Sequence, residues 1–503
     1  MNTLSYSSLL GLVAPELILV VAALLVLAVD LMVLRDDPLR SRFQIVSAFA
    51  ILGLVASGVW LMVLSAPPGA GTDSGNIIPL LKGMVVDDSL VRMVKFGIIV
   101  LAALTIGISL ESNFTNNVGE YLALILFATV GMMLLVSAED LLMIFVSLEL
   151  TSLSLYILAA FNKRDPKSIE AALKYFLFGG MSAAFTLFGL SYIYGLTGST
   201  NLGDIAARLN SSTLDPLLIA AIVLTVIGFG FKIAVVPFHL WAPDAYQGAP
   251  TPSAAFIASG SKVASFFVLA KIFAVGFAHA TGSAGWHAYV PGWQPVLAIL
   301  AGASMFLGNL AAIAQSNVKR LLAYSAIAHA GYALLGIMAN DAQGTTAVVF
   351  YAMTYGLTVL GAFAVIGAVE DKTGEATFSS LAGLSRREPV LAFCMMIFML
   401  SLAGIPPLVG FFGKFYLFLA AIGGVKNLGL VWLVVFGIAM SAVSLYYYLQ
   451  VLKQIYVVDP VENQPPLHVP ISTKVVVSLI ALSIVLLGCF PNLLLARLLE
   501  NVP

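Results

Sequence analysis

The chain has 503 residues, 60% hydrophobic and only 10% charged, with a net charge of -1, against about 25% charged in an ordinary soluble domain. That composition excludes a soluble globular enzyme and describes a polytopic membrane protein. Lipid leaves no backbone group to be satisfied from outside, so the fold class is an all-α membrane protein.

Fourteen apolar runs recur along the chain, each long enough to cross about 30 Å of hydrocarbon. They fall at about 10–34, 43–66, 93–110, 120–138, 140–161, 169–196, 217–238, 253–279, 294–315, 321–340, 344–370, 389–423, 428–450 and 473–497. The first carries Glu16 and lacks a basic leader and a small-residue cleavage site, so it is expected to be retained as a helix. Glu16 itself receives no role.

Assigned alternately to two sides, the loops differ sharply in charge. One side holds Arg35, Arg40, Arg42, Lys163, Arg164, Lys167, Lys319, Arg320, Lys372, Arg386, Arg387 and Lys453; the other holds only Lys82, Arg208, Lys426 and Arg497. The first side is cytoplasmic by the positive-inside rule, and both termini are expected outside.

Several ionisable residues lie within the apolar spans. Glu149 stands in the fifth, Lys174 in the sixth, Lys232 in the seventh, Lys262 and Lys271 in the eighth, His329 in the tenth and Lys414 in the twelfth. A charge at the bilayer centre costs about 2.5–3.5 kcal/mol on insertion scales, so such residues face one another or water and are functional by default. Lysine suits a proton relay because burial favours its neutral form, and a nearby carboxylate such as Glu149 can load or unload it. The competing reading of Glu149 is a carboxylate satisfied by Ser147 or Ser152 on its own helix. Ser259 and Ser265 flank Lys262 on one helical face as a polar seam. Lys174, close to its helix end, and Lys271, nine residues beyond Lys262, have snorkelling to the headgroups as the rival reading. His329 is a relay candidate by virtue of its ordinary pKa near 6.5.

The segment 237–250 reads as a loop, with Trp241 and Tyr246 as interfacial anchors and His239 as a gating or anchoring residue. Cys394 and Cys489 lie in apolar helices without disulfide or metal spacing, and no phosphate-binding glycine loop follows a strand.

The chain also repeats itself. Gly228-Phe-Gly-Phe-Lys232 is echoed by Gly410-Phe-Phe-Gly-Lys414, and Asp140-Leu-Leu before Glu149 by Arg320-Leu-Leu before His329. Spans 4–8 and 9–13 then form two five-helix units, inverted because five is odd, as in many transporters. The organisation expected is a three-helix segment over 1–119, repeats over 120–280 and 290–455, and a last helix over 470–503. Helices 7 and 12 are expected to be broken, by Pro237 and by Gly404-Ile405-Pro406-Pro407.

The 237–250 segment, Ala258-Ser259-Gly260-Ser261-Lys262, the Ser316–Ser325 stretch and the 404–407 break before Lys414 resemble the antiporter-like membrane subunits of respiratory complex I along the whole chain. Asp244–Pro250 and Gly413-Lys414-Phe415 are similar to the member that keeps lysine where a sister carries glutamate. The resemblance implies proton-channel positions at Glu149, Lys174, Lys232, Lys262 and Lys414 and an axial histidine at His329. It further implies sister membrane subunits and the lipid bilayer as partners, with no nucleic acid. FMN, iron–sulfur clusters and quinone would be held by partner subunits and no cofactor by this chain. A bacterial inner membrane is the expected location. The rival readings are a sodium–proton antiporter subunit of the related multisubunit family, a scaffold without transport, and a solute transporter.

Overall fold

The computed structural model describes residues 10–64, 84–111, 114–209, 215–286, 288–423, 429–460, 467 and 469–501. Lys82 and Lys426, which entered the charge comparison, lie outside these residues. The membrane helices are α1 (Ala14–Ala28), α2 (Leu39–Val59), α3 (Ser89–Ser109), α4 (Val118–Ser137), α5 (Leu141–Ala159), α6 (Pro166–Thr197) and α7 (Pro216–Ile233). After them come α8 (Trp241–Gly248), α9 (Thr251–Ala258), α10 (Gly260–Lys271), α11 (Trp293–Ile313), α12 (Val318–Ala339) and α13 (Ala342–Thr373). The series closes with α14 (Pro389–Ala403), α15 (Val409–Gly423), α16 (Val431–Tyr456), α17 (Ile471–Cys489) and α18 (Asn492–Leu499).

Local chemistry sets the starts. Asp88, Asp140, Asp165, Asp215, Asn317 and Asp341 each accept a backbone N–H of the first turn through the side chain, and Pro166 and Pro216 open their helices where no amide is needed. Gly198 and Gly374 end the two 32-residue helices in the left-handed region.

Among the described residues thirteen helical stretches are long and apolar enough to span a membrane, and α14 with α15 supplies a fourteenth as a broken pair. All fourteen expected spans are therefore present, with four differences. The seventh span stops at Ile233, where Ala234 turns left-handed at φ 59°. The segment read as a loop contains the helix α8. The eighth span is divided at Ser259 (φ −110°, ψ −81°), a break that no proline announces within it. The last span ends at Cys489, and Pro491 precedes the separate helix α18.

Helices with little lipid contact form the centre. In the most apolar 18-residue stretch of each span, 94% of the residues are buried in α9–α10 and in α12 and 89% in α13, against 33% in α1, α6, α16 and α17. Without a hydrophobic drive between helices in lipid, close packing relies on small residues. A Cβ at Gly308 would stand 2.6 Å from the Ala328 amide and one at Gly331 2.7 Å from the Ala301 carbonyl, so α11 and α12 touch backbone to backbone.

The N-terminal helices are tied to the bundle by charge. Glu16 on α1 pairs with Lys95 on α3 at 2.7 Å, both side chains at most 5% exposed. Arg42 on α2 holds Asp30 at 2.8 and 2.9 Å, and Asp30 accepts the Gly119 amide of α4 at 2.9 Å. Removing one member of a buried pair costs about 3–5 kcal/mol, whereas replacing both is often neutral. Lys95→Ala is therefore expected to lower the yield and melting temperature of the detergent-purified protein, and Glu16→Gln/Lys95→Met to recover most of the loss. Equal damage from both variants would show that shape, not charge, holds α1 to α3.

Candidate functional site

The breaks in the helices build the site. Where α7 stops, the carbonyls of its last turn have no helical partner. Lys262, on the first turn of α10, donates its Nζ to one of them, Ile233 O, at 2.9 Å. The same device recurs at the other break. Lys414 on α15 donates to Leu402 O at 3.0 Å and Ala403 O at 3.1 Å, the terminal carbonyls of α14, and to Ser441 Oγ of α16 at 2.8 Å. The negative end of each half-helix favours the ammonium. By these contacts Lys414 matches Lys262, although the repeated sequence pairs it with Lys232.

Lys232, one residue before Ile233, points instead at α5. Its Nζ donates to Ser152 Oγ and, at 3.2 Å, to the Tyr156 hydroxyl. Glu149, three residues before Ser152, lies within electrostatic range of Lys232, and its buried Oε1 makes no hydrogen bond to the described residues. Satisfaction by neighbouring serines is not observed: the Ser152 hydroxyl donates to Leu148 O, and Ser147 Oγ has no partner among the described residues. Ser152, Lys232, Ser261 and Ser265 share the wall of a cavity of about 10 Å³, the size that accommodates one water.

His329 lies on α12 within electrostatic range of both Lys262 and Lys414. Its Nδ1 stands 2.5 Å from the Tyr351 hydroxyl and its Nε2 3.0 Å from that of Tyr448, which also meets Ser325 Oγ at 2.5 Å. Toward α15, Tyr447 donates to Asn309, Asn309 donates to Tyr332, and the Tyr332 ring lies 5.2 Å from the Lys414 ammonium. Glu149, Lys232, Lys262, His329 and Lys414 thus follow one another across the centre of the bundle.

Lys174 stands apart. Its side chain is 39% exposed and pairs with Glu170 at 2.7 Å and Asp244 at 2.8 Å. Asp244 also meets Arg320 at 2.5 Å. Burial pushes the Asp244 carboxyl up, but the hydrogen bonds from Lys174 and Arg320 outweigh it and hold the group below its usual range. Lys271 does not snorkel: it pairs with Glu139 at 3.1 Å and its side chain is 12% exposed. Nor are Trp241 and Tyr246 interfacial anchors. Both are buried, Trp241 donating to Phe231 O at 2.9 Å and stacking on Tyr175 at 4.2 Å, because α8 folds back against α6. His239 is also buried, and burial lowers its pKa.

Sequence reasoning missed Tyr156, Tyr351, Tyr448 and the charge hub at Asp244, none of which a single span reveals. It also missed Lys95, although a lysine within an apolar run was the signal applied elsewhere. A polar vestibule of about 560 Å³ opens at one end of the bundle, with Glu111, Asp165, Pro250, Asn317, Glu375 and Pro470 among its lining residues. Those residues come from six different connections, all on the side that carries most of the basic loops. Among the described residues no group of three His, Cys, Asp or Glu is arranged to hold a metal.

Fold and site define a many-spanning helical membrane protein with a buried row of basic groups at interrupted helices. The profile of the family described as "NADH:quinone oxidoreductase/Mrp antiporter, TM" matches residues 138–444. NADH-quinone oxidoreductase subunit N 2 of Acidobacterium capsulatum is 51% identical, the match covering 98% of this chain and 99% of that protein. A chain of respiratory complex I from Thermus thermophilus with bound aureothin superposes with a TM-score of 0.78 at 34% identity, over 97% of this chain and 100% of that one. A chain of the Mrp complex from Dietzia, at 20% identity, TM-score 0.77 and 97% of each chain, shares the fold. The chain belongs to the NADH:quinone oxidoreductase/Mrp antiporter membrane family, in its subunit N branch.

Asp244→Asn removes the charge that joins α6, α8 and α12. A partly exposed pair is worth up to about 1 kcal/mol, so a melting-temperature loss of a few degrees is expected near neutral pH. Since Asp244 is held below the usual carboxylate range, the tie is fully present above that range and is lost as pH falls through the depressed value. The gap between variant and parent should therefore close on acidification, and a gap that widened would refute the assignment.

Proposed function

We propose that the chain is the N-type proton-translocating membrane subunit of an NADH-quinone oxidoreductase. Protons pass between Glu149, Lys232, Lys262, His329 and Lys414, while Lys174 acts as a movable charge at the side of that row. NADH is oxidised and quinone reduced in other subunits, where flavin and iron–sulfur groups reside. Sister antiporter-like subunits are the lateral neighbours in a bacterial inner membrane, and both termini face outward. Two inverted five-helix units, over 120–280 and 290–455, carry the two breaks.

The observation that carries this reading is the seating of Lys262 and Lys414 on carbonyls freed by broken helices, with His329 in range of both. Each lysine has fixed acceptors whether or not its neighbour is charged. In a low-dielectric interior, charging one ammonium raises the cost of charging the next, so protons advance when a charge arrives or leaves at one end. Lys174 supplies such a charge. Held by Asp244 and Glu170 it is remote from Glu149; released, it can approach Glu149 and change the load on Lys232. This subunit contributes to the enzyme's turnover by transporting protons, with the redox steps elsewhere.

In inverted membrane vesicles or proteoliposomes of the whole enzyme, Glu149→Gln or Lys232→Ala is expected to lower the protons moved per NADH by more than half while the subunit still assembles. Lys262→Arg retains a cation but one that does not deprotonate in proteins, and is expected to pump no better than Lys262→Ala. Wild-type pumping by these variants would contradict the relay. Lys271→Ala, whose partner Glu139 reaches solvent, should leave pumping near the parental ratio.

A further inference from the structure

Two buried hydroxyls lie between the vestibule and the histidine cluster without a hydrogen bond to the described residues. They belong to Tyr246 on α8 and Tyr355 on α13, 0% and 6% exposed. An unsatisfied buried hydroxyl costs about 1–3 kcal/mol, and phenylalanine would fill the same space without it. The polar atom needs a reason to be there.

Position supplies one. Gln247, the residue after Tyr246, lines the vestibule, and so does Phe363, whose ring packs edge-on against Tyr246 at 5.9 Å. On the inner side, Tyr246 is within electrostatic range of Tyr355, which is in turn within range of Tyr448 and Tyr351, the two hydroxyls bound to His329. The Tyr355 ring lies 4.8 Å from the His329 ring. At the vestibule wall, buried Lys319 pairs with Glu370 at 2.8 Å and donates to Thr251 at 3.3 Å, while Thr251 donates to Glu370. Thr251 opens the helical span that later carries Lys262. Titratable groups at the wall, two unpartnered hydroxyls and the histidine cluster are therefore in succession.

We infer that Tyr246 and Tyr355 are the intake step of the relay, passing protons from the vestibule, bounded by Glu370 and Lys319, to the His329 cluster. This inference rests on the relay reading given above. In each transfer a hydroxyl takes a proton on its oxygen as it releases its own to the next acceptor, through water, so neither ring is left ionised and no charge is stranded. The two tyrosines are positioning and conducting groups for protons. Their unused hydrogen-bonding capacity leaves them free to turn between partners.

The test uses the whole enzyme in proteoliposomes carrying Tyr246→Phe, Tyr355→Phe or both, with Lys262→Arg alongside. Removing a hydroxyl that makes no hydrogen bond to the described residues should leave assembly intact and the melting temperature at or above the parental value. The double variant is expected to lose pumping per NADH to the same extent as Lys262→Arg, and each single variant to lose part of it. Parental pumping by the double variant, with loss in Lys262→Arg, would overturn the intake role and leave the relay intact. Parental pumping in both would overturn the relay itself. Failure of the tyrosine variants to assemble would show that the hydroxyls serve the fold, which also refutes the proposal.

Discussion

A helix interrupted inside a membrane exposes carbonyls that lipid cannot satisfy, and this chain answers with lysine. Ile233, Leu402 and Ala403 present those carbonyls, and the Lys262 and Lys414 ammonium groups donate to them. Each partner would be costly alone: a bare carbonyl in a dry interior, or a buried cation without acceptors. Together they fix where the basic groups lie and how the half-helices approach. The left-handed turn at Ala234 and the αL glycine Gly404 end the half-helices at the places where the lysines arrive.

Around that core the other charges are neutralised locally. Glu16 with Lys95, Asp30 with Arg42, Glu139 with Lys271 and Glu370 with Lys319 are each within 3.1 Å. The axial groups differ in having neutral partners: Ser152 and Tyr156 for Lys232, a carbonyl for Lys262, two tyrosines for His329, carbonyls and Ser441 for Lys414. An ammonium bound to a carboxylate has its charge balanced at the point of contact. One bound to neutral oxygens leaves its charge to be balanced by more distant groups, which in a low-dielectric interior couples it to the rest of the row. The division separates the charges paired across helices from the groups that the proposed relay uses.

How much of this was legible in the sequence follows from the physics of each signal. Spans are long-range averages of hydrophobicity, and all fourteen were readable. The break at 404–407 is written in two prolines and a glycine, whereas the one at Ser259 depends on packing of α9 and α10 between α3 and α13 and leaves no such mark. The segment after Pro237 resembles a loop with surface aromatics in sequence because Trp241 and Tyr246 suit an interface. Their burial arises from α8 folding back on α6, which periodicity within one segment does not encode. Partners are equally hidden: nothing near Lys174 in the chain points to Asp244, 70 residues away, and the tyrosines around His329 come from two other helices.

The same geometry bears on which ion travels. Transporters that couple to sodium bind it with unwound backbone carbonyls and the C-terminal ends of half-helices. Here those atoms are already engaged: the end of α7 by Lys262 and the end of α14 by Lys414. A fixed ammonium in the seat repels a second cation and occupies the oxygens it would need. In the relay proposed above it gains and releases a proton without leaving its seat. At these two half-helix ends the fold shared with the Mrp complex leaves those carbonyls to a lysine, which is the placement that the proposed proton relay uses.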